Sequence, residues 1–218
     1  MRKNVAGLNI LVFSISLLPL FWLSYALISD QLGANPIEAI TRDTGVWALR
    51  FIMVTLFISP LRKLTGINEF IRFRRMLGLF AFFYASLHML LYFGLDQFFD
   101  LHEIWLDIVK RPFITIGFIS FILLIPLTIT STDKMIKRLG GRRWKKLHYL
   151  IYLIVVLSCV HFYMLVKQDK PEPLIYLLIA ILLLGFRVFS QRRRHQVAEA
   201  NFIGFYGFFS VFNFSTRF

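Results

Sequence analysis

Residues 144–162 read WKKLHYLIYLIVVLSCVHF, and this stretch decides the fold class. After Lys146 it is apolar enough to lie in lipid, yet it keeps two histidines, His148 and His161. A helix of about 20 apolar residues crosses the roughly 30 Å hydrocarbon layer of a bilayer. The stretch therefore predicts a membrane-spanning helix. Its two histidines need an explanation, because ionisable groups are costly inside a membrane.

The rest of the chain repeats this pattern. Of the 218 residues 57% are hydrophobic and 25 are Phe, and the charged residues are gathered in clusters. The backbone in lipid must form helices or closed barrels, and the apolar runs lack the alternation of barrel strands. We therefore predict an all-α membrane protein, surrounded by lipid, in which Pro19, Pro60 and Pro126 bend or end their helices. Its six transmembrane helices are expected at 8–28, 44–61, 77–95, 113–131, 148–166 and 173–190.

Positive charge is distributed unevenly between the connections of these helices. Eighteen of the 25 Lys and Arg residues lie at the N-terminus, in the second and fourth connections or at the end of the sixth run and beyond it. Five lie in the first, third and fifth connections. Cytoplasmic segments carry the excess of Lys and Arg, so both termini are predicted to be cytoplasmic. The net charge of +13 reflects this topology and not a nucleic-acid surface, for which the sequence offers no soluble domain.

This topology places two histidines at a similar depth. His88 lies about 17 Å along the third helix, and His161 lies about 20 Å beyond His148 along the fifth. Two level imidazoles on different helices of a bundle can bind both faces of one haem iron. His148 lies at the cytoplasmic end, and His102 is assigned to the outer loop. Each buried histidine has an alternative explanation as a residue that hydrogen-bonds to a carbonyl, and His148 as an interfacial residue.

Several arginines are candidates for binding anionic groups of a cofactor. Arg50, inside the second span, either neutralises a haem propionate or extends toward the membrane surface. Arg74 and Arg75, with Arg142 and Arg143 opposite them, are suited to holding an FMN phosphate. The topology alone also explains these four cations.

Four segments together carry a resemblance to a known family: LGANPIEAITRDTGVWALRF at 32–51, IRFRRMLGLFAFFYASLH at 71–88, KRPFITIG at 110–117 and LTITSTDKMIKRLGGRRWKKLHYLIYL at 127–153. Over about residues 15–190 the chain resembles the MsrQ family, also called YedZ, of the ferric reductase-like transmembrane group.

The resemblance implies a haem b protein of the bacterial inner membrane that also binds FMN and takes electrons from the quinone pool. The electrons pass to MsrP, a periplasmic molybdopterin enzyme that reduces protein-bound methionine sulfoxide. In this family the haem-ligand histidines correspond to His88, His148 and His161. His102 has no place in that pattern.

We expect one transmembrane domain over residues 1–190, with its core at 44–166, and a basic, Phe-rich tail at 191–218 to which no role is assigned. Related oxidases continue into a soluble flavin- and nicotinamide-binding domain, whereas this sequence has no G-x-G-x-x-G motif. Its electrons are therefore expected from a quinol or a separate flavin donor, and substrate reduction is left to the partner. The alternative is a haem-free transporter or scaffold whose histidines relay protons or bind a metal.

Overall fold

The computed structural model describes residues 2–166, 171–190 and 192. These residues are largely helical and include no strand. Six helical segments are long and apolar enough to cross a membrane: Gly7–Ile28, Pro36–Thr65, Asn68–Asp96, Pro112–Ile129, Gly141–Leu165 and Glu172–Ser190. The prediction of an all-α protein with six membrane-spanning helices is confirmed. The tail beyond residue 192, including His195, and the cations Lys167 and Lys170 lie outside the described residues.

Nine α-helices follow one another along the described chain. They are α1 (Arg2–Ile28), α2 (Pro36–Thr65), α3 (Phe73–Leu91), α4 (Leu101–Lys110), α5 (Pro112–Ile129), α6 (Asp133–Leu139), α7 (Gly141–Leu147), α8 (Leu150–Leu165) and α9 (Glu172–Ser190). A 3₁₀ turn at Asn68–Arg72 precedes α3, and a π-helical turn at Tyr92–Asp96 follows it.

The second helix begins earlier than the hydropathy of the sequence predicts. It starts at Pro36 instead of residue 44, because Asn35 caps it: the Asn35 side chain accepts a hydrogen bond from the backbone N–H of Glu38. Pro36 then occupies the first turn, where its missing N–H costs nothing. This extension adds the turns of α2 that carry Thr41 and Arg42.

Two helix pairs form the centre of the bundle. α2 packs along α3, and α5 packs along α8. In the most apolar stretch of α2, 56% of the residues are buried. The corresponding share in the other spans is 17–22%, so α2 is the central helix. The buried core that these pairs share includes the fully buried side chains of Ile52, Leu56, Tyr84, Ile154 and Val155. The apolar side chains on the outer surfaces face lipid.

The connections divide the bundle into two ends of opposite charge. The acidic end holds the α1–α2, α3–α5 and α8–α9 connections, and its described acidic residues are Asp30, Glu38, Asp43, Asp96, Asp100, Glu103, Asp107 and Glu172. The basic end holds the α2–α3 and α5–α8 connections, and its described cations are Arg62, Lys63, Arg72, Arg74, Arg75, Lys134, Lys137, Arg138, Arg142, Arg143, Lys145, Lys146, Arg187 and Arg192.

Tyr84 attaches α1 to the central pair. The α1 helix continues through Pro19, and next to this proline the Tyr84 hydroxyl accepts a hydrogen bond from the Leu20 N–H (3.1 Å) and donates one to the Ser16 carbonyl (2.9 Å). These two backbone groups are four residues apart, the normal partners in an α-helix, so the hydroxyl bridges them across one turn. The Tyr84 ring stacks on Phe51 with 5.2 Å between ring centres.

The change Tyr84→Phe is expected to lower the unfolding temperature of the purified protein by several degrees. It removes the two hydrogen bonds by which α3 holds α1, and each such bond contributes about 0.5–1.5 kcal/mol. Thermal unfolding in detergent measures the effect. Tyr163→Phe is the matched control, because Tyr163 is 53% exposed on α8. Equal losses in the two variants would contradict the bridging role.

Candidate functional site

His88 and His161 face each other inside the bundle. His88 lies in the last turn of α3, and His161 lies near the end of α8. The centres of the two imidazole rings are 6.2 Å apart, and the ring planes are inclined at 72°. The structure thus brings together the two histidines for which the sequence predicted a common depth.

Each ring is held by a backbone carbonyl of the neighbouring helix. His88 Nδ1 lies 2.7 Å from the Thr41 carbonyl oxygen on α2, and His161 Nδ1 lies 2.7 Å from the Phe113 carbonyl oxygen on α5. A carbonyl can only accept a hydrogen bond, so Nδ1 carries the proton and donates in both rings. The neutral imidazole then keeps Nε2 unprotonated, which is the form that binds a metal.

Glycines allow the two rings to lie directly against helix backbone. A Cβ atom at Gly45 would be 3.0 Å from His88 Nδ1, and one at Gly117 would be 2.8 Å from both Nδ1 and Cε1 of His161. At Gly117 such a contact forces a shift, whereas at Gly45 the His88 ring would have to give by a few tenths of an ångström. Both glycines are therefore part of the site, although sequence reasoning did not identify them.

The two halves of the site repeat one arrangement. In α2–α3 the accepting carbonyl is at Thr41, the glycine follows four residues later at Gly45, and the partner helix supplies His88. In α5–α8 Phe113 and Gly117 have the same spacing, and the partner helix supplies His161. Each helix pair thus contributes one imidazole in an equivalent setting.

The imidazoles line a cavity of about 660 Å³ between these helices. Apolar side chains form its inner part, among them Leu49, Ile52, Phe121 and Leu124. The cavity reaches the acidic end of the bundle, where its lining is polar: Asn35, Glu38, Arg42, Asp96, Arg111 and Glu172. Two hydroxyl groups in the lining, Thr41 Oγ1 and Ser120 Oγ, are buried and have no hydrogen-bond partner among the described residues.

This lining suits a large, mostly apolar ligand with a polar edge and a metal at its centre. Imidazole nitrogens bind transition metals at about 2 Å, and Nε2 lies about 1 Å from its ring centre, so two imidazoles on opposite sides of one metal have centres about 6 Å apart. The observed separation of 6.2 Å agrees with this value. Within the described ranges no three His, Cys, Asp or Glu side chains converge on a point.

His148 is separate from this pair. It lies in the turn between α7 and α8, at the basic end, and its Nε2 is 3.1 Å from the Thr130 hydroxyl. The Trp144 ring packs on the imidazole with 4.1 Å between ring centres, and Trp144 Nε1 donates to the Thr130 carbonyl. The structure therefore does not bring His148 together with His88 and His161.

Arg50 also lies outside the cavity lining. Its side chain is exposed, its Nε donates to the Tyr176 hydroxyl (2.6 Å), and its guanidinium lies 4.6 Å from the centre of the Trp47 ring. These contacts hold the Arg50 side chain on the surface of the bundle.

The arginines predicted for a phosphate lie at the basic end, and none of them lines the cavity. Arg75 pairs with Asp133 at 2.7 Å, and this hydrogen-bonded cation lowers the pKa of the Asp133 carboxyl. Arg74 is partly buried beside α9, whereas Arg142 and Arg143 are exposed on α7.

His102 lies in the connection between α3 and α5, at the acidic end of the bundle. It is exposed in the first turn of α4, where its backbone N–H donates to the Asp100 side chain that caps the helix. It is not part of the cavity lining.

Comparisons with known proteins agree with this arrangement. Residues 44–159 match the family described as ferric reductase like transmembrane component. The chain is 53% identical over 181 residues to the protein-methionine-sulfoxide reductase heme-binding subunit MsrQ of Herminiimonas arsenicoxydans, covering 82% of this chain and 83% of that protein. It is 50% identical over 192 residues to the protein of the same name from Rhodospirillum rubrum, covering 88% and 92%. For the protein of that name from Polaromonas naphthalenivorans the identity is 48% over 198 residues, covering 89% and 90%. The chain therefore belongs to the MsrQ family of ferric reductase like transmembrane proteins.

Proposed function

We propose that the chain is a haem b electron-transfer subunit in which His88 and His161 would be the two protein ligands of one haem iron. The observation that carries the proposal is the pair of imidazoles, each anchored through Nδ1 and separated by 6.2 Å across a cavity. The heme-binding subunits to which the chain is similar give it further support.

A tetrapyrrole accounts for features that a bare metal ion leaves unexplained. Two imidazoles alone are a small donor set, and a macrocycle supplies the remaining nitrogens around the iron. The apolar inner walls provide the surface against which such a ring packs. A haem-free transporter or scaffold, the other candidate, gives no reason for two imidazoles fixed at one level by equivalent carbonyls.

The protein residues would set the properties of the site. Haem b, when bound, supplies a one-electron carrier inside the membrane. His88 and His161 would hold the iron through their two Nε2 atoms, and this would leave no position on it for other ligands. The Thr41 and Phe113 carbonyls fix the orientation of the rings and raise the basicity of Nε2, as outer partners of metal ligands do. The apolar lining excludes water.

We further propose the direction of electron flow. The basic end faces the cytoplasm of a bacterium, both termini lie on that side, and the acidic end faces the periplasm, since Lys and Arg accumulate in cytoplasmic segments. Electrons from the quinone pool, or from a flavin donor, enter through the inner-membrane subunit. They leave toward a partner, the molybdopterin enzyme MsrP, which reduces methionine sulfoxide in oxidised periplasmic proteins.

The basic end is the proposed donor side. Arg74, Arg142 and Arg143 are available there for an FMN phosphate, whereas Arg75 is engaged by Asp133. His148 lies at this end and is the residue that would serve a second haem or a changed ligand set. His148→Ala is expected to keep a substantial part of the haem spectrum and to slow reduction of the remaining haem, measured against wild type at equal haem content.

Orientation can be measured by cysteine labelling in a Cys159→Ser background. Phe98→Cys, at a residue that is 80% exposed at the acidic end, is expected to react with an impermeant thiol reagent from the periplasmic side. Lys145→Cys, on exposed α7 at the basic end, is the control and should react only after the cells are broken. The reverse pattern would invert the proposed topology.

Electron transfer is tested with the purified subunit in lipid vesicles. A quinol should reduce the haem, and MsrP with methionine sulfoxide should reoxidise it. If quinol reduces the haem but MsrP does not reoxidise it, MsrP is not the acceptor. A correctly inserted protein that contains no haem would favour the transporter or scaffold instead.

A further inference from the structure

We propose that the acidic end of the cavity is a carboxylate-binding subsite in which Arg42, Arg111 and the Thr41 hydroxyl hold the two propionates of the haem. The inference rests on the proposed function and adds the residues that fix the direction in which the haem enters the bundle.

The polarity of the cavity allows only one such direction. A haem has one apolar edge and one edge with two carboxylates, and burying an ionised carboxylate in apolar surroundings is costly. The inner part of the cavity is lined by side chains such as Leu49, Ile52 and Leu124, whereas the part at the acidic end is polar. The propionates must therefore point to the acidic end.

Two guanidinium groups line that end, one beside each histidine anchor. Arg42 follows Thr41, whose carbonyl holds His88, and Arg111 lies two residues before Phe113, whose carbonyl holds His161. Because the two imidazoles define the position of the iron, this placement gives one arginine to each half of the site.

Both arginines keep donors available for a further anion. The contact of Arg42 with Asp43 is long (3.6 Å), and Arg111 contacts Asp107 at 3.2 Å. Both contacts are made by Nε, so the terminal nitrogens, which carry most of the N–H donors of a guanidinium, can bind a carboxylate. Glu38, Asp96 and Glu172 also line this end, but within the described residues none of them forms an ion pair with either arginine.

The Thr41 hydroxyl is the third donor. Its oxygen is buried, lines the cavity and has no hydrogen-bond partner in the part of the chain that the structure describes. Buried hydroxyls are normally paired, and an unpaired one carries a free-energy cost. A propionate beside Arg42 would accept its hydrogen bond.

The experiment measures how fast haem leaves the protein for an excess of apomyoglobin. Arg42→Gln, Arg111→Gln and Thr41→Val are compared with two controls on α2, Arg50→Gln and Thr55→Val. Arg50 is held by Tyr176 and Trp47 outside the cavity, and the Thr55 hydroxyl donates to the Phe51 carbonyl. Each protein is loaded with haem b and, separately, with its dimethyl ester, in which both carboxylates are blocked.

With haem b we expect each arginine variant to lose haem roughly tenfold faster than wild type, and Thr41→Val roughly threefold faster, because each loses a hydrogen bond to a charged group. With the dimethyl ester the variants should differ from wild type by less than about twofold, since the interaction is already absent. Both controls should follow wild type with either cofactor.

Two results would overturn the subsite: arginine variants that behave like Arg50→Gln, or an acceleration that is equally large with the ester. A wild-type protein that takes up neither cofactor would contradict the proposed function itself, so the two failures are distinguishable.

Discussion

His88→Ala and His161→Ala are each expected to remove most of the bound haem while the protein remains folded in the membrane. Each substitution deletes one of the two imidazoles that are anchored through Nδ1 and face each other at 6.2 Å. An iron with one remaining protein ligand loses both affinity and its low-spin state. The measurement is the haem-to-protein ratio after purification, together with the reduced-minus-oxidised spectrum, and we expect at least a fivefold loss.

Two other histidines provide the controls for this prediction. His102→Ala removes an exposed imidazole on α4, and His148→Ala removes the one that Thr130 and Trp144 hold at the basic end. Both variants should keep most of the haem. Full haem content in both the His88 and the His161 variants would refute their assignment as ligands.

Gly117→Ala is expected to have the next largest effect. The added Cβ would lie 2.8 Å from two atoms of the His161 ring, so the ring must move away from α5 and lose its hydrogen bond to the Phe113 carbonyl. A displacement of this kind takes Nε2 out of line with the iron, and outer-shell changes at metal sites commonly cost about 10–100-fold in affinity. Haem content and the position of the low-spin absorption bands measure the change.

The chain offers a graded and a neutral comparison for Gly117→Ala. At Gly45 the corresponding distance is 3.0 Å, so Gly45→Ala should weaken haem binding less. At Gly185 on α9 no atom lies within 4 Å of a Cβ position, so Gly185→Ala should leave haem content unchanged. Loss of haem in the Gly185 variant that equals the loss in the Gly117 variant would show a general folding defect instead of a local clash.

The number of spans and the common depth of His88 and His161 could be predicted from the sequence because they depend on short-range quantities. Runs of apolar residues set the helices, and a rise of about 1.5 Å per residue sets the depth of His88 and His161 along them. The separate position of His148 follows from the same spacing, and the structure adds the break between α7 and α8 that contains it.

The remaining features of the site depend on which helices pack together. The partners of the two Nδ1 atoms are backbone carbonyls, and every residue type has one. The side chains of Thr41 and Phe113 therefore do not indicate that their carbonyls hold the imidazoles. Gly45 and Gly117 allow close approach of the imidazoles only because α2 lies against α3 and α5 lies against α8. Hydropathy does not determine these pairings.

The location of the polar end of the cavity also could not be predicted from the sequence. Arg50 was a propionate candidate because the second span was expected to begin at residue 44, whereas α2 begins at Pro36 and carries Arg42 at the cavity. The capping side chain of Asn35, a local polar contact, extends the helix past the apolar run. The arginine that lines the cavity therefore lies two turns before the one that the apolar pattern indicated.

His88 and His161 are proposed to bind one iron from both sides, and electron paramagnetic resonance of the oxidised, purified protein tests this most directly. Imidazole planes inclined at 72° predict a strongly anisotropic low-spin ferric signal, and this signal should disappear in His88→Ala and in His161→Ala. A high-spin ferric signal in the wild-type protein, or a low-spin signal that survives in the double variant, would contradict the claim.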